Sequence, residues 1–421
     1  MRARLSPCFG SRSAVRAAGA TLSILLAMPG AFAAEAPKGS GLQPQARIAA
    51  WETAEYTRLR LEGFDGLYNM DYPAARDRFQ RMCTLAPDHP AGHLYLATTV
   101  WLNLLNSQRR LATNLYNSTS FYAETKEKVD IAIDREFRRY VGAAVKRAEE
   151  AIKRNARDVE AIYYKGAAHG LLATYEGTVA RSFISALRNG SKSVALHREV
   201  LKLDPEFADA YITIGTYDYI VGSLPFFVKI LAAIGGFHGS RERGLSELKT
   251  VTERGRYASD DARVVLVTFY AREKRWTDAL SLLETLSAKF PSNYLFRIEK
   301  AGVLARLGRH DRSYAIFDEV LRDPAHSNVA DMVHFEYAET LAGQGRYQEA
   351  LDHFRAVPKQ AGAAAEIVTR AHLRAGQTLD ILKRRLEAIA EYQIVLAREN
   401  VFDSRDKAED GLERPFKPGD D

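Results

Sequence analysis

Two histidines four residues apart, His89 and His93, are the closest approach to a metal-binding pair in this 421-residue sequence. Residues at this spacing share one face of a helix, so both imidazoles could reach the same ion. Pro90 follows His89 at a position typical of a helix start, and no acidic or cysteine ligand completes the set. We therefore interpret both as surface or capping histidines and expect no metal or cofactor.

A glycine-rich segment is the second candidate for chemistry. Backbone amides and cations could surround an anion at the start of the helix that we predict to begin near Ser240. The alternative, which we favour, is a simple turn into that helix. The residues concerned are Gly235, Gly236, Gly239, Arg241, Arg243 and Gly244.

Motifs of known enzyme classes are missing from the sequence. It contains no Gly-x-Ser-x-Gly elbow, no His-Glu-x-x-His pair, no phosphate-binding lysine loop and no paired-cysteine metal motif. The protein is therefore predicted not to be an enzyme. Cys83 lies one helical turn after Phe79 and is interpreted as a small buried residue.

The first 33 residues predict a secretory signal. Four arginines precede or begin an apolar run from Ala17 to Phe32, and small residues at Ala31 and Ala33 suit a cleavage site. No cysteine follows that could carry a lipid. We expect an exported protein, periplasmic or extracellular, cleaved after Ala33, in which Cys83 has no partner for an intrachain disulfide.

Charge and composition limit the possible partners and the domain boundaries of the mature chain. Removal of the four leader arginines lowers the formal charge from +6 to +2, which does not support a nucleic-acid partner. Residues 34–50 are rich in Pro, Gly and Ala and predict a flexible linker, whereas the charged residues 401–421 predict a flexible polar tail. The helical domain is expected at 51–400.

A repeat in the sequence predicts the helices that position these residues. Small or compact residues recur at intervals of 34 to 69 positions, with regular spacing in the second half and insertions in the first. Antiparallel helices approach to about 8–10 Å where the facing residue is small. The predicted crossing residues of successive hairpins are Gly63, Ala97, Gly166, Gly215, Val267, Ala301, Ala338 and Gly376.

The partner helix of each hairpin has its own signature. A small residue followed four positions later by an aromatic residue occurs at Ala75, Ser313, Ala350 and Ala388. Tyr72, Trp276 and Tyr347 are predicted to begin second helices just after their turns. Gly308 and Gly345 suit left-handed helix ends, and prolines such as Pro87 stop the second helices. The largest insertion contains an apolar 3–4 periodicity that predicts one amphipathic helix over 125–154.

These residues resemble the tetratricopeptide repeat family over roughly 55–400. The similarity is carried by YPAARDRFQRMCTLAPDHP, by FADAYITIG after LKLDP, by RWTDALSLLETLSAKFPSN and by GQGRYQEALDHF. The segment SLPFFVKILAAIGGFHGSRERGLSELK is similar to the inclusion-body clearance branch of that family. The resemblance implies an all-α, right-handed α-solenoid of about eight antiparallel helix hairpins and an interaction or scaffold role, with no catalytic residue.

A solenoid of this kind has a concave wall lined by its first helices, which can hold an extended peptide or a helix. We predict a protein or peptide partner on that wall, anchored by large tyrosines. The alternative is that these tyrosines pack against the neighbouring hairpin. The predicted wall residues are Glu160, Tyr163, Tyr164, Asp209, Ile212, Thr216 and Tyr219.

The second hypothesis is an enzyme accessory module or a lipid- or membrane-proximal factor that uses the apolar segment 223–237, with Phe226 and Phe227, as a hydrophobic contact. Lys229, Pro225 and Gly222 count against a transmembrane helix here, so no membrane span is expected in the mature chain.

Overall fold

A computed structural model of the chain describes residues 52–112, 115, 129–223 and 238–419. Within these residues every α-helix or 3-10 segment belongs to one helical array, and no strand occurs. The predicted leader 1–33, the linker 34–50, Phe226 and Phe227 lie outside the described residues.

Seventeen α-helices follow one another along the described chain. They are α1 (Ala54–Tyr68), α2 (Tyr72–Leu85), α3 (Pro90–Ser107), α4 (Ile131–Arg154), α5 (Val159–Thr178), α6 (Phe183–Leu203), α7 (Tyr211–Gly222), α8 (Arg241–Arg254), α9 (Ser259–Arg272), α10 (Trp276–Lys289), α11 (Tyr294–Arg306), α12 (His310–Arg322), α13 (Ala330–Gly343), α14 (Tyr347–Ala356), α15 (Ala365–Ile381), α16 (Arg385–Leu396) and α17 (Ser404–Glu413).

The helices pair into eight consecutive hairpins, α1 with α2 through α15 with α16, and α17 packs against the last pair. Each hairpin also contacts the first helix of the next one. The predicted all-α helical repeat fold of about eight hairpins is therefore confirmed. No helix of the described residues is both long enough and apolar enough to cross a membrane.

The predicted crossing residues lie on the eight first helices and are buried. A Cβ built on Gly63 would come within 2.3 Å of the Phe79 ring, and one on Gly376 within 2.6 Å of the Tyr392 ring. Only glycine lets these rings of the second helices lie against the first helices. The repeat register read from the sequence is thus correct at both ends of the array.

Helix boundaries also follow the predicted signals. Trp276 and Tyr347 each begin a second helix, as does Tyr72. Gly308 and Gly345 have φ of +74° and +75°, the left-handed conformation that closes a helix most easily with glycine. The predicted insertion helix is present as α4, where Phe137 stacks on Tyr175 with ring centroids 3.8 Å apart.

The C-terminal segment differs from its prediction. Residues 401–419 are not a loose polar tail, because α17 lies within them and packs on hairpin eight. Gly411 lies against the Tyr392 ring, and the Arg385 guanidinium donates to the carbonyl oxygens of Gly411 and Leu412 at 2.7 and 2.8 Å. Composition suggested flexibility, but specific hydrogen bonds and one close helix approach offset the polar character of the segment.

Contacts between distant hairpins join the front of the array to its back. The Asn293 amide donates to the Tyr68 carbonyl oxygen at 2.6 Å, and the Tyr68 ring stacks on Phe290 with centroids 4.7 Å apart. Further along, Arg110 forms a two-point ion pair with Glu366 at 2.8 and 2.9 Å. The superhelix therefore curls until hairpins one and two touch hairpins five to eight.

Candidate functional site

The tyrosines predicted to form an open wall are inside the molecule. Tyr163 and Tyr164 are 1% exposed and Tyr219 is 0% exposed. The expectation of an accessible aromatic wall is wrong for these three, because the curled array covers the front concave side. The alternative, packing between hairpins, is what the structure shows.

Each tyrosine has a defined packing partner. The Tyr163 ring stacks on His197 with centroids 5.0 Å apart, and the Tyr164 hydroxyl lies 3.0 Å from that of Tyr95. Tyr219 stacks on Phe269, 3.8 Å between centroids, and its hydroxyl donates to Glu273 at 2.9 Å. These contacts hold hairpins together and leave little ring surface for a partner.

Asp209 has a structural role instead of the predicted binding role. Its carboxylate accepts hydrogen bonds from the backbone amides of Arg256, Tyr257 and Ala258 at 2.9, 2.7 and 2.7 Å. Burial raises the pKa of Asp209, and these amides counteract that effect. Asp209 thus organises the turn that precedes α9. Ile212 and Thr216 are buried too, and Thr216 donates to the Ile212 carbonyl oxygen within α7.

Glu160 is the only predicted wall residue of the described part that keeps some contact with solvent. Its Oε1 atom lies 3.8 Å from Nε2 of His89 and has no hydrogen bond among the described residues. Burial, together with the nearby Glu52 carboxylate, raises the pKa of Glu160 to about 7. Glu160 lies beside His89 at the edge of a buried aromatic cluster, and its side chain is 28% exposed.

His89 follows its structural interpretation, whereas His93 does not: both ring nitrogens of His93 are buried without a hydrogen bond among the described residues, so it is neither a surface nor a capping residue. Gly235 and Gly236 of the glycine-rich segment lie outside the described residues. His89 precedes α3, where its Nδ1 accepts from the Ala91 amide at 3.3 Å, so the predicted capping role is confirmed. Among the described residues no group of three or more possible ligands could hold a metal ion. Ser240 caps the start of α8, where its hydroxyl accepts from the Arg243 amide at 3.3 Å. A Cβ built on Gly244 would come within 2.4 Å of the Gly215 carbonyl oxygen. Gly244 therefore allows α8 to pack closely against α7.

The back half of the array contains a cavity of about 760 Å³ that the sequence analysis did not predict. We call it the back cavity. Its walls are the first helices α9, α11, α13 and α15, with Trp276 at one side and the turn after hairpin eight at another. Ala112 and Leu115, from the segment after α3, also border it. This volume lies within the range of about 300–1,000 Å³ typical of ligand sites.

Apolar and charged side chains alternate on the cavity wall. Phe335 lies on α13, where the Arg370 guanidinium carbon is 4.4 Å from its ring centroid. One turn further along α15, Arg374 forms a two-point ion pair with Glu339 at 2.6 and 3.0 Å. Burial lowers the pKa of Arg370, so its charge carries a desolvation cost. The cavity can therefore contact both the apolar and the ionic parts of a ligand.

Gly302 lies in the interior of α11, on the cavity wall, and a Cβ placed there would touch nothing within 4 Å, as is also true of the exposed Gly142 in α4. Glycine inside a helix costs about 1 kcal/mol relative to alanine. At Gly63 and Gly376 a neighbouring ring accounts for this cost, but no described residue approaches Gly302. The missing side chain widens the cavity.

The back cavity is closed on one side by the segment that follows α16. Phe402 is 3% exposed and lies beneath two guanidinium groups, those of Arg110 and Arg181, at 5.3 and 5.2 Å from its ring centroid. Its φ of +57° is rare for a residue with a large side chain. Phe402 therefore connects hairpin eight to the ends of α3 and α5, across the opening of the array.

Comparisons with known proteins agree with this architecture. The family model described as Iml2/Tetratricopeptide repeat protein 39 matches residues 212–362, from α7 to the segment after α14. The predicted similarity to tetratricopeptide repeats and to the inclusion-body clearance branch is thereby confirmed. No curated protein matches the sequence of the chain.

Solved structures of helical repeat proteins are similar to the chain at low identity. A tetratricopeptide repeat protein of Parabacteroides merdae is 12% identical, with a TM-score of 0.30, over 76% of this chain and 98% of that one. The human IFIT1 dimer with m7Gppp-AAAA is 13% identical, with a TM-score of 0.43, over 86% and 81%. Yeast Tom70 is 13% identical, with a TM-score of 0.29, over 85% and 87%.

Proposed function

We propose that this protein is a non-catalytic, exported scaffold that binds a segment of a partner protein in the back cavity. The observation that carries the proposal is the open wall at Gly302, where a helix interior gives up a side chain without any neighbour that requires it. An occupant whose backbone approaches α11 closely would explain this choice, because only glycine leaves room for such an approach.

The position of the cavity supports a protein segment as the occupant. First helices of the repeat array form its walls, and these are held by the second helices behind them. A preformed wall reduces the ordering cost of binding an extended segment. The front concave side cannot serve in the same way, because Tyr163, Tyr164 and Tyr219 are already packed.

Export is part of the proposal and has its own test. The charged leader, the apolar run and the small residues near Ala33 support cleavage at that position. N-terminal sequencing of the protein from an envelope fraction is expected to start at Ala34. An intact Met1 on protein from the cytoplasm would contradict export but would leave binding in the cavity to be judged separately.

Photo-crosslinking tests where the partner binds. The photoreactive residue p-benzoylphenylalanine is placed at Thr340, on the cavity wall, and separately at Arg322, whose side chain is 77% exposed on α12. We expect a discrete crosslinked partner from Thr340 in envelope extracts and none from Arg322. Equal crosslinking from both positions, or crosslinking from Arg322 alone, would contradict binding in the back cavity.

A further inference from the structure

We infer that the back cavity selects an acidic internal segment of its partner protein, whose side-chain carboxylates bind the cations at the ends of α9 and α11. This inference rests on the proposed function and adds the chemical class of the partner. It does not require a free carboxyl terminus.

Cations outnumber carboxylates among the described residues that line the back cavity. The six basic residues are Arg272, Lys274, Arg306, Arg370, Arg374 and Lys407, and the four acidic residues are Glu299, Glu336, Glu339 and Asp403. Two of the acids already interact with cations of the same wall: Glu339 with Arg374, and Asp403 with Lys407 at 3.6 Å. The remaining charge is predominantly positive.

The excess of positive charge is concentrated where α9 and α11 end. Arg272 is in the last turn of α9, and its Nη1 atom is buried without a hydrogen bond among the described residues. Arg306 occupies the equivalent position of α11, 34 residues later, with its guanidinium carbon 5.9 Å from the Trp276 ring centroid. In the described part of the chain no ion pair within 4.0 Å is found for Arg272, Arg306 or Lys274.

Arg306 is exposed, whereas the Arg272 guanidinium is partly desolvated and therefore favours an anion more than a neutral group. Charge-assisted hydrogen bonds from arginine to carboxylate are shorter and stronger than neutral ones, and they form in pairs. A basic segment would add repulsion from Arg272 and Arg306, whereas a neutral one would leave the buried Nη1 atom without an acceptor of matching charge. Acidic side chains of a bound segment would provide an acceptor of opposite charge for each arginine.

Gly302 lies one turn before Arg306 on the same wall and explains how a main chain could pass nearby. With no side chain at Gly302, a segment can lie against α11 while its carboxylates reach toward the end of the helix. Trp276 provides an apolar surface next to Arg306, suited to the methylene groups of glutamate or to an adjacent apolar residue.

Selection from a peptide library tests the inference directly. Twelve-residue random peptides are displayed with their carboxyl ends fused to the carrier, so a terminal carboxylate cannot contribute. The mature chain is the bait, and the net charge of the enriched sequences is the readout. The Arg272→Gln/Arg306→Gln variant is compared with Arg322→Gln, which removes one exposed charge from α12. Circular dichroism melts confirm that each bait is folded.

We expect enriched sequences to be acidic for the native chain and for Arg322→Gln. For one enriched peptide, the Kd is expected to increase about tenfold or more in the double glutamine variant. Arg272→Lys/Arg306→Lys, which keeps both charges, is expected to retain the acidic preference. Added salt should weaken binding to the native chain, because the contacts are ionic.

Two other outcomes separate the inference from the proposed function. Enrichment of neutral or basic peptides that compete with the Thr340 crosslink would overturn the acidic preference while supporting binding in the cavity. Enriched peptides that bind equally well after Gly302→Trp, which fills the cavity, would overturn both, because binding would then occur elsewhere.

Discussion

Arg109 and Asp331 are separated by 222 positions, yet the Arg109 Nε donates to both carboxylate oxygens of Asp331 at 2.9 and 3.1 Å. Both side chains are buried, and Asp331 also accepts from the amides of Met332 and Ala364 at 2.8 and 3.0 Å. The pair joins the end of α3 to the start of α13. It is one of the contacts that convert an open solenoid into a curled one.

Removal of one member of this pair is expected to destabilise the protein strongly. Asp331→Ala leaves the Arg109 cation buried without its partner, a change that typically costs about 3–5 kcal/mol. Thermal and urea unfolding measure the effect. Glu319→Ala, which removes a carboxylate that is 71% exposed, is the matched control and should change stability by less than about 1 kcal/mol. Equal effects of the two variants would show that the front and back halves are not joined here.

Alanine substitutions at two glycines should change the free energy of unfolding in opposite directions. Gly302→Ala is expected to raise the free energy of unfolding by about 0.5–1 kcal/mol, because its Cβ meets nothing and alanine favours the helix. Gly376→Ala should lower it by about 1–3 kcal/mol, because its Cβ would come within 2.6 Å of Tyr392. Denaturant titrations of both variants provide the measurement. Destabilisation by Gly302→Ala would mean that the cavity wall is closed at that point.

The buried tyrosines are expected to affect stability directly. Tyr163→Ala creates a space between His197 and the neighbouring rings and should lower stability by about 3–5 kcal/mol, as for other large aromatic residues. Tyr163→Phe is the control, since the Tyr163 hydroxyl has no hydrogen bond among the described residues. We expect Tyr163→Phe to unfold close to the native temperature. A native melt for Tyr163→Ala would restore the open-wall interpretation.

The buried imidazole of His197 predicts that the stability of the folded chain depends on pH. Its Nε2 lies 3.1 Å from the Tyr163 carbonyl oxygen and its Nδ1 bonds Thr213, while burial lowers the pKa of His197 to about 4. In the unfolded chain the His197 imidazole binds a proton near pH 6.5, whereas in the folded chain it does so only near pH 4. The contribution of neutral His197 to the free energy of unfolding is therefore complete above pH 6.5 and decreases as the pH falls toward 4.

Comparison of the native chain with His197→Gln isolates this effect, because Glu160 and the other histidines remain in both proteins. We expect the native chain to lose about 2 kcal/mol more than the variant between pH 7 and pH 4.5. Urea unfolding at the two pH values measures the difference. Parallel losses in the two proteins would show that His197 titrates with an ordinary pKa.

Phe402 provides a test of the closure at the back cavity. Phe402→Ala removes the ring that lies against Arg110 and Arg181 and should expose the segment 401–413. We expect faster amide hydrogen exchange in α17 and in the last turn of α3, together with a lower melting temperature. Leu412→Ala, at the far end of α17, is expected to change exchange in α17 alone. Unchanged exchange at the end of α3 in Phe402→Ala would contradict this closure.

The sequence by itself determined the repeat and its register. Close helix packing requires small residues at fixed positions, so Gly63, Ala338 and Gly376 could be recognised from spacing alone. The turns at Gly308 and Gly345 and the helix starts at Trp276 and Tyr347 could be predicted for the same reason. These features depend on contacts between helices that are adjacent in the sequence, so the local spacing of residue types is enough to predict them.

The tertiary structure alone decided which concave surface stays open. Tyr163 was predicted from its place on a first helix, but its exposure depends on the superhelical curl and on contacts such as Asn293 with Tyr68, 225 residues apart. Arg272 and Gly302 carried no recognisable motif, since their role comes from the cavity that four hairpins and Phe402 enclose together. Local periodicity specifies each hairpin, whereas the small rotation between hairpins accumulates over the whole array and determines which surfaces meet.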